Sequence, residues 1–162
     1  IGAHNLLQTL DFGEDSALVL HHLYKLDVSS NRIKLVPPVL SLCTNLSVLD
    51  LSENQIEQLE LLPDSLVTLT LCDNQIEVLP STFSSLTRLR TLSLARNRFT
   101  VFPPELKGLR LTSVNFEENS ISQLPWWLAV GNPKWFVSTN CGWRYRPTDR
   151  PVRLGRNDPR IK

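Results

Sequence analysis

An asparagine that returns at almost constant intervals, within a fixed pattern of aliphatic residues, constrains the fold most strongly. The pattern L-x-x-L-x-L-x-x-N-x-L occurs five times, with Val, Ile or Phe at some of the leucine positions. The steps between its asparagines are 23, 20, 23 and 22 residues. Five copies in phase indicate repeated units that bury a continuous core by stacking. The copies span Leu23–Ile33, Leu46–Ile56, Leu66–Ile76, Leu89–Phe99 and Leu111–Ile121, with the asparagines Asn31, Asn54, Asn74, Asn97 and Asn119.

The central L-x-L of each copy alternates as a half-buried strand does. We therefore expect its aliphatic side chains to point into the core and the intervening side chains to face the opposite way. Neighbouring strands are expected to pair in parallel and to form one curved sheet. The asparagine stands where the chain turns out of that sheet, and its side-chain amide can bond to backbone groups there. A structural role is therefore favoured over a ligand role for these asparagines.

Prolines mark the second half of most copies, where Pro37, Pro80, Pro103 and Pro125 follow the asparagine turn. Because proline has no backbone N–H, it ends strand pairing, and the chain is expected to return along the convex side. Residues 39–42, 82–86 and 105–109 predict short helical or 3-10 turns. The 20-residue repeat leaves little room for a helix around Leu62-Pro63-Asp64-Ser65, so its return segment is expected to be extended and tighter.

The pattern L-x-x-L-x-L-x-x-N-x-I-x-x-L-P resembles the leucine-rich repeats of intracellular Ras-suppressor and Scribble-like scaffold proteins. The short repeat, L-P-D-S-L-V-T-L-T-L, is similar to the 20-residue units of bacterial effector repeats. The resemblance covers residues 23–125. It implies an α/β solenoid, a right-handed horseshoe with a parallel concave sheet and short helical or extended convex segments. It also implies a binding role, but it does not specify a partner.

The ends of such a solenoid need caps, because terminal repeats otherwise expose the core. Residues 1–22 predict an N-terminal cap, in which Leu7-Gln8-Thr9-Leu10-Asp11-Phe12 resembles a degenerate strand and Asp15 takes the asparagine position. Residues 23–125 hold the five repeats, residues 126–143 an aromatic C-terminal cap, and residues 144–162 a basic extended tail. The aromatic residues of this second cap either close the core or anchor a partner.

Charge is distributed unevenly along the chain. Residues 144–162 contain seven basic and two acidic residues, a net charge of +5, whereas residues 1–143 contain ten basic and fourteen acidic residues, a net charge of −4. Such a tail can bind an acidic protein, an anionic lipid surface or nucleic acid, or it can remain solvated without a specific target. Together, the cap and the tail predict a second docking surface formed by Trp126, Trp127, Trp135, Trp143, Arg144, Arg146, Arg150 and Arg153.

The three cysteines, Cys43, Cys72 and Cys141, are scattered and odd in number. This usage argues against a disulfide framework and favours a reducing, cytoplasmic compartment. No apolar run reaches membrane-spanning length. Since the sequence starts at Ile1 and contains no methionine, it is expected to be a processed form or one region of a longer protein, so a removed targeting peptide is compatible with it.

The sequence predicts no enzymatic activity, no cofactor and no metal site. No phosphate-cradling glycine pattern is present, and the three histidines lie near the N-terminus without cysteines at zinc-ligand spacing. Cys72 has threonines and a serine as its expected neighbours rather than a catalytic base. It is therefore interpreted as a surface thiol, whereas Cys43 is expected to pack into the convex side.

The polar positions of the strands are the candidate binding residues, because stacking at about 4.8 Å turns them into continuous columns. These columns are acidic in the N-terminal half and mixed further on, where Arg96 and Arg98 are expected to project. They suit a basic or hydrogen-bonding protein segment, although a plain solvated surface is an equally simple interpretation. The candidates are Asp11, Glu14, Lys25, Asp27, Ser29, Asp50, Ser52, Glu53, Thr70, Cys72, Asp73, Ser93, Arg96, Asn115 and Glu118.

Three functions are compatible with these features. The first is a scaffold or protein-binding module that uses the concave face, with the cap and tail as a second docking surface. The second is a subunit of a ribonucleoprotein or other large assembly that contacts nucleic acid through the basic tail, with binding that falls steeply as salt rises. The third is an adaptor region of a longer signalling enzyme.

Overall fold

A computed structural model of the chain describes residues 6–10, 20–123, 125, 127 and 128, together with the backbone of two further strands. Within these residues one sheet contains seven strands in chain order. The first six are parallel neighbours, and the seventh pairs antiparallel with the sixth. The strands are β1 (Lys25–Asp27), β2 (Val48–Asp50), β3 (Thr68–Thr70), β4 (Thr91–Ser93), β5 (Ser113–Phe116), β6 (Phe136–Thr139) and β7 (Arg144–Tyr145).

The parallel register stacks equivalent positions of successive repeats directly on one another. Leu49 lies opposite Leu26 on one side and Leu69 on the other. Leu49 and Leu51 have 0% of their surface exposed, while Val48 and Asp50 on the same strand are half-buried. The alternation predicted from L-x-L is therefore confirmed, and a single core runs along the stack.

The convex side carries short 3-10 helices at Pro38–Leu42, Ser81–Ser85 and Pro104–Leu106. Each begins directly after a proline in an extended conformation, as the proline positions predicted. The 20-residue repeat differs, since residues 57–63 contain a single β-bridge residue and no helical turn. The prediction that this segment is extended is thus confirmed.

Each repeat asparagine joins two turns of the solenoid through its side-chain amide. The Oδ1 atom of Asn74 accepts a hydrogen bond from the backbone N–H of Ile56 in the preceding repeat, at 3.0 Å. Its Nδ2 atom donates to the carbonyl oxygens of Leu51 at 3.0 Å, and of Leu71 and Cys72 at 3.2 Å. Asn54, Asn97 and Asn119 make the same set of bonds. The predicted structural role of these asparagines is confirmed.

The residue before each asparagine has a left-handed backbone, with φ between 51° and 55°. This conformation is unfavourable for residues with a Cβ atom and persists where the surroundings hold it in place. Here the amide of Glu53 donates to the Cys72 carbonyl at 2.8 Å, and the amide of Asp73 donates to the Ala95 carbonyl at 3.0 Å. The five residues at this position are Ser30, Glu53, Asp73, Arg96 and Glu118.

The N-terminal segment occupies a different repeat position from the one predicted. The N–H of Leu7 donates to Oδ1 of Asn31 at 3.1 Å, and the carbonyl of Leu7 accepts from Arg32 at 2.8 Å. Ile33 makes the two equivalent bonds with Asn54 and Gln55 of the next repeat. Because Ile33 lies two residues after the repeat asparagine Asn31, Leu7 also occupies the position two residues after a repeat asparagine. Leu10 is buried three residues later, and no strand forms over Leu7–Leu10.

The strand predicted to start at Leu7 is therefore wrong, because the spacing L-x-x-L occurs both before the asparagine and after it. The alignment that placed Asp15 at an asparagine position, and Asp11 and Glu14 on the binding face, depended on that strand. Those three residues lie outside the described residues, and the register at Leu7 removes the basis for their assignment.

At the C-terminal end, aromatic side chains pack against the last repeats. The ring centroid of Trp127 lies 5.9 Å from that of Phe102, at an interplanar angle of 70°, and Leu128 is buried. The ring centroid of Phe102 in turn lies 4.9 Å from that of Phe116. Trp127 thus packs against the core, whereas Trp126, Trp135 and Trp143 lie outside the described residues. Arg144, at the start of the predicted tail, belongs to β7 of the sheet.

Replacing Asn74 by alanine is expected to destabilise the fold by at least ~2 kcal/mol, because it leaves a buried N–H and two inward carbonyls without their partner. Urea denaturation of the purified chain measures this change. The exposed Gln58 provides the control, since its alanine variant should unfold within about 0.5 kcal/mol of the parent. A loss below ~1 kcal/mol for Asn74→Ala would contradict the role of the amide.

Candidate functional site

The candidate site is the concave face, formed by the strand side chains that alternate with the buried leucines. Its first column comprises Lys25, Val48, Thr68, Thr91 and Ser113, and its second comprises Asp27, Asp50, Thr70, Ser93 and Asn115, as fixed by the strand register. The residues that follow each strand extend these columns to the left-handed position before the asparagine. In the described part of the face, all the candidates from Lys25 to Glu118 are half-buried or exposed.

An acidic patch formed by Asp27, Asp50 and Glu53 occupies the N-terminal half of this face. Asp27 and Asp50 are directly paired on neighbouring strands, at a strand spacing of about 4.8 Å. Like charges placed opposite one another in a sheet repel. The patch therefore concentrates negative charge on two adjacent strands of the face.

The two aspartates also hold the turn at the end of their strands. Oδ1 of Asp50 accepts hydrogen bonds from the backbone N–H of Ser52 at 3.0 Å and from its hydroxyl at 2.7 Å. Oδ1 of Asp27 accepts the same two bonds from Ser29, at 3.1 and 2.7 Å. The sequence D-x-S thus fixes each carboxylate in one orientation. Glu53, the third member of the patch, accepts a bond of 2.7 Å from the Ser30 hydroxyl.

The two arginines predicted to project from the C-terminal half, Arg96 and Arg98, are already partnered. Arg96 donates through Nε and Nη2 to the two carboxylate oxygens of Asp73, at 2.5 and 2.6 Å, and through Nη1 to Glu118 at 3.5 Å. The Asp73 carboxylate raises the pKa of Arg96 above its usual range, with a smaller contribution from Glu118. Arg98 donates to the side-chain oxygen of Gln75 at 2.7 Å.

These contacts refine the predicted surface. Arg96 projects, as expected, since 48% of its side chain is exposed, but its charge is balanced by two carboxylates of the same face. The acidic patch of β1 and β2, with three carboxylates beside Lys25, therefore carries the larger net charge. The ion pair of Arg96 with Asp73 is solvated, and such pairs contribute little to stability. It therefore affects the electrostatic potential of the surface more than the stability of the fold.

The strand positions in the middle of the face are polar and uncharged. Thr70 and Ser93 face each other on β3 and β4, and the thiol of Cys72 lies 2.9 Å from the Ser93 hydroxyl. Cys72 is half-buried, as expected of a surface thiol, whereas Cys43 is fully buried on the convex side. Burial raises the pKa of the Cys43 thiol.

Several predicted residues lie outside the described part of the chain: Asp11 and Glu14 of the concave set, Trp126, Trp135, Trp143, Arg146, Arg150 and Arg153 of the second docking surface, and the side chain of Arg144. The sequence interpretation, for its part, named Lys25 alone from the first column. Thr68, Thr91 and Ser113 belong there equally, and the alternation that identified Lys25 already contains this signal.

Sequence comparison matches two models of leucine-rich repeats to the chain, one over residues 21–64 and one over residues 64–121. Together the matches cover more than half of the chain and the five asparagine turns described above. The chain belongs to the leucine-rich-repeat family. Domains of this family generally mediate protein–protein interaction and are typically not enzymes. The narrower resemblance to Ras-suppressor and Scribble-like repeats stays a prediction.

Solved structures of other leucine-rich-repeat proteins are similar in fold. A leucine-rich-repeat protein of Leptospira interrogans gives a TM-score of 0.63 at 19% identity, covering 85% of this chain and 42% of its own. The functional domain of InlJ from Listeria monocytogenes, whose structure includes a cysteine ladder, gives 0.58 at 24% identity, covering 71% and 24%. The leucine-rich-repeat domain of APL1B gives 0.63 at 28% identity, covering 74% and 38%.

This leucine-rich-repeat chain spans less than half the length of each of these structures. No curated protein matches it. Among the described residues, no helix combines the length and apolar character needed to cross a membrane, and no three His, Cys, Asp or Glu side chains come together as metal ligands.

The two described thiols are expected to differ sharply in reactivity. Iodoacetamide at pH 8 should modify Cys72 in the native protein but leave Cys43 unmodified, because burial keeps the Cys43 thiol protonated and inaccessible. Peptide mapping by mass spectrometry reports each cysteine separately, and the same reaction in urea provides the control in which both are modified. Modification of native Cys43 at the rate of Cys72 would contradict the burial.

Proposed function

We propose that the chain is a protein-binding module whose concave face captures a basic or hydrogen-bonding segment of a partner protein. The observation that carries this proposal is the acidic patch of Asp27, Asp50 and Glu53, held on adjacent repeats beside polar, uncharged strand positions in the middle of the face. Membership of a family that generally mediates protein–protein interaction supports it.

The balance of charge along the face sets the expected orientation of the partner. In the C-terminal half, Arg96 is neutralised by Asp73 and Glu118, whereas within the described residues Asp50 and Glu53 have no ion pair with a basic side chain. A cationic segment would therefore be drawn to β1 and β2. Charge of this kind contributes to orientation and association rate more than to raw affinity.

The hydrogen bonds of the patch decide which substitutions test it cleanly. Charge reversal would remove the Oδ1 atoms that accept bonds from Ser29 and Ser52, so it would disturb the turns as well as the charge. The triple variant Asp27→Asn, Asp50→Asn, Glu53→Gln keeps a side-chain oxygen at every position. It changes the potential of the surface while leaving the same acceptors in place.

The triple variant is expected to reduce partner retention about tenfold, corresponding to a loss of about 1.4 kcal/mol of binding free energy. Affinity purification with quantitative mass spectrometry, using the intact chain and the variant as baits, measures the change for each retained protein. The matched control neutralises three carboxylates of the return segments, Glu57→Gln, Glu77→Gln and Glu105→Gln. Equal retention by all three baits, or no retention above an unrelated bait, would contradict the proposal.

The alternative functions depend on other parts of the molecule. Nucleic-acid binding was predicted from the basic residues 144–162, whose side chains lie outside the described residues, and the adaptor role depends on a longer protein. The reducing, cytoplasmic compartment likewise was inferred from cysteine usage. These three statements stay predictions.

A further inference from the structure

The convex side of the solenoid contains a notch that the concave-face function does not use. It lies at the 20-residue repeat, between the 3-10 helices Pro38–Leu42 and Ser81–Ser85 of the flanking repeats. The notch is open to solvent and has a volume of about 550 Å³, which falls within the ~300–1,000 Å³ typical of ligand pockets.

The length of the short repeat explains why the notch exists. Its asparagines, Asn54 and Asn74, are 20 residues apart, against 23 for the repeat on either side, and the missing residues are those that would form a convex helix. The helices Ser81–Ser85 and Pro104–Leu106 of adjacent repeats contact each other. Among the described elements, the helices on either side of the short repeat make no such contact, and the space between them stays open.

Side-chain hydrogen bonds between the short repeat and its two neighbours fix both walls of the notch. The hydroxyl of Ser65 shares its single hydrogen between the carbonyl oxygens of Leu46 at 2.7 Å and Cys43 at 3.1 Å, which secures the N-terminal wall. On the opposite wall, the hydroxyl of Ser85 donates to Oδ1 of Asp64 at 2.9 Å. The notch is therefore a formed feature of the fold, held by specific bonds on both sides.

The lining of the notch combines apolar and charged side chains. Leu61, which is 48% exposed, lines the notch together with the buried side chains of Leu62 and Phe83. Glu60 and Asp64 belong to the short repeat, and Arg88 belongs to the C-terminal wall. No ion pair involving these three charged side chains is present in the described part of the chain, so their charges remain available to an occupant.

We infer that this notch binds a short extended segment of a partner protein in which an aliphatic side chain is followed by lysine or arginine. The aliphatic group covers Leu61 and removes its apolar surface from water. The cationic group of the segment lies against the carboxylates of Glu60 and Asp64. Arg88 donates to a backbone carbonyl oxygen of the segment. The notch thus gives the domain a convex docking site that is independent of the concave face.

The peptide acetyl-Gly-Leu-Lys-Gly-amide is the probe that tests this inference, titrated into the isotope-labelled full chain and followed by NMR. We expect shifts of the amides of Leu61, Ser65 and Ser85, and binding at least fivefold stronger than that of peptides with Gly for Leu or Glu for Lys. The variant Leu61→Ser, and the variant Glu60→Gln with Asp64→Asn, should each weaken binding at least threefold. Asp64→Asn retains an acceptor for Ser85.

Matched controls separate the notch from the rest of the surface. Val78 is 70% exposed outside the notch, so Val78→Ser should leave peptide binding unchanged, as should the neutralised concave-face variant. Shifts confined to the concave face, or no binding at millimolar peptide, would overturn the inference. So would a dimer in sedimentation velocity that Leu61→Ser, but not Val78→Ser, dissociates, because the notch would then be occupied by a second copy.

Discussion

The buried asparagine side chain is the interaction on which the rest of the structure depends. Its amide accepts a hydrogen bond from the preceding repeat and donates to carbonyls of both repeats. The chain can therefore leave the sheet without burying unsatisfied backbone N–H or C=O groups. The left-handed residue before the asparagine, such as Glu53 or Asp73, is held by its own amide, which donates to a carbonyl of the next repeat. Because every repeat turns in this way, the strands remain in register and their outward residues form straight columns. The concave face is thus a direct consequence of the asparagine turns.

The two faces of the solenoid acquire their character from different constraints. On the concave side, position within the strand decides which residues are displayed, and the D-x-S turns of Asp27 and Asp50 orient two carboxylates side by side. On the convex side, repeat length decides the shape, and the loss of one 3-10 helix in the short repeat opens the notch at Leu61. One chain therefore presents a charged sheet surface and an apolar recess on opposite sides of a shared core.

Much of this architecture could be predicted from the sequence, since period and alternation are properties of the residues themselves. The five asparagines, the inward Leu49 and Leu51 and the extended short repeat all follow from spacing. The repeat position of Leu7 does not follow from spacing, because L-x-x-L occurs both before and after the repeat asparagine. Only the hydrogen bond from Leu7 to Asn31 distinguishes the two alignments. The neutralisation of Arg96 depends on side-chain rotamers across three repeats, and the notch depends on the absence of a contact between two helices. Neither has a local sequence signal.

Amide hydrogen exchange tests the central role of the asparagine amides most directly. The N–H groups of Ile33, Ile56 and Ile76 have side-chain Oδ1 acceptors, whereas those of Leu51 and Leu71 have backbone carbonyl acceptors from the neighbouring repeat. The two groups of amides are expected to exchange equally slowly, in a single cooperative unit. Exchange of the three isoleucine amides near the rate of an unstructured peptide, while Leu51 and Leu71 remain protected, would contradict it.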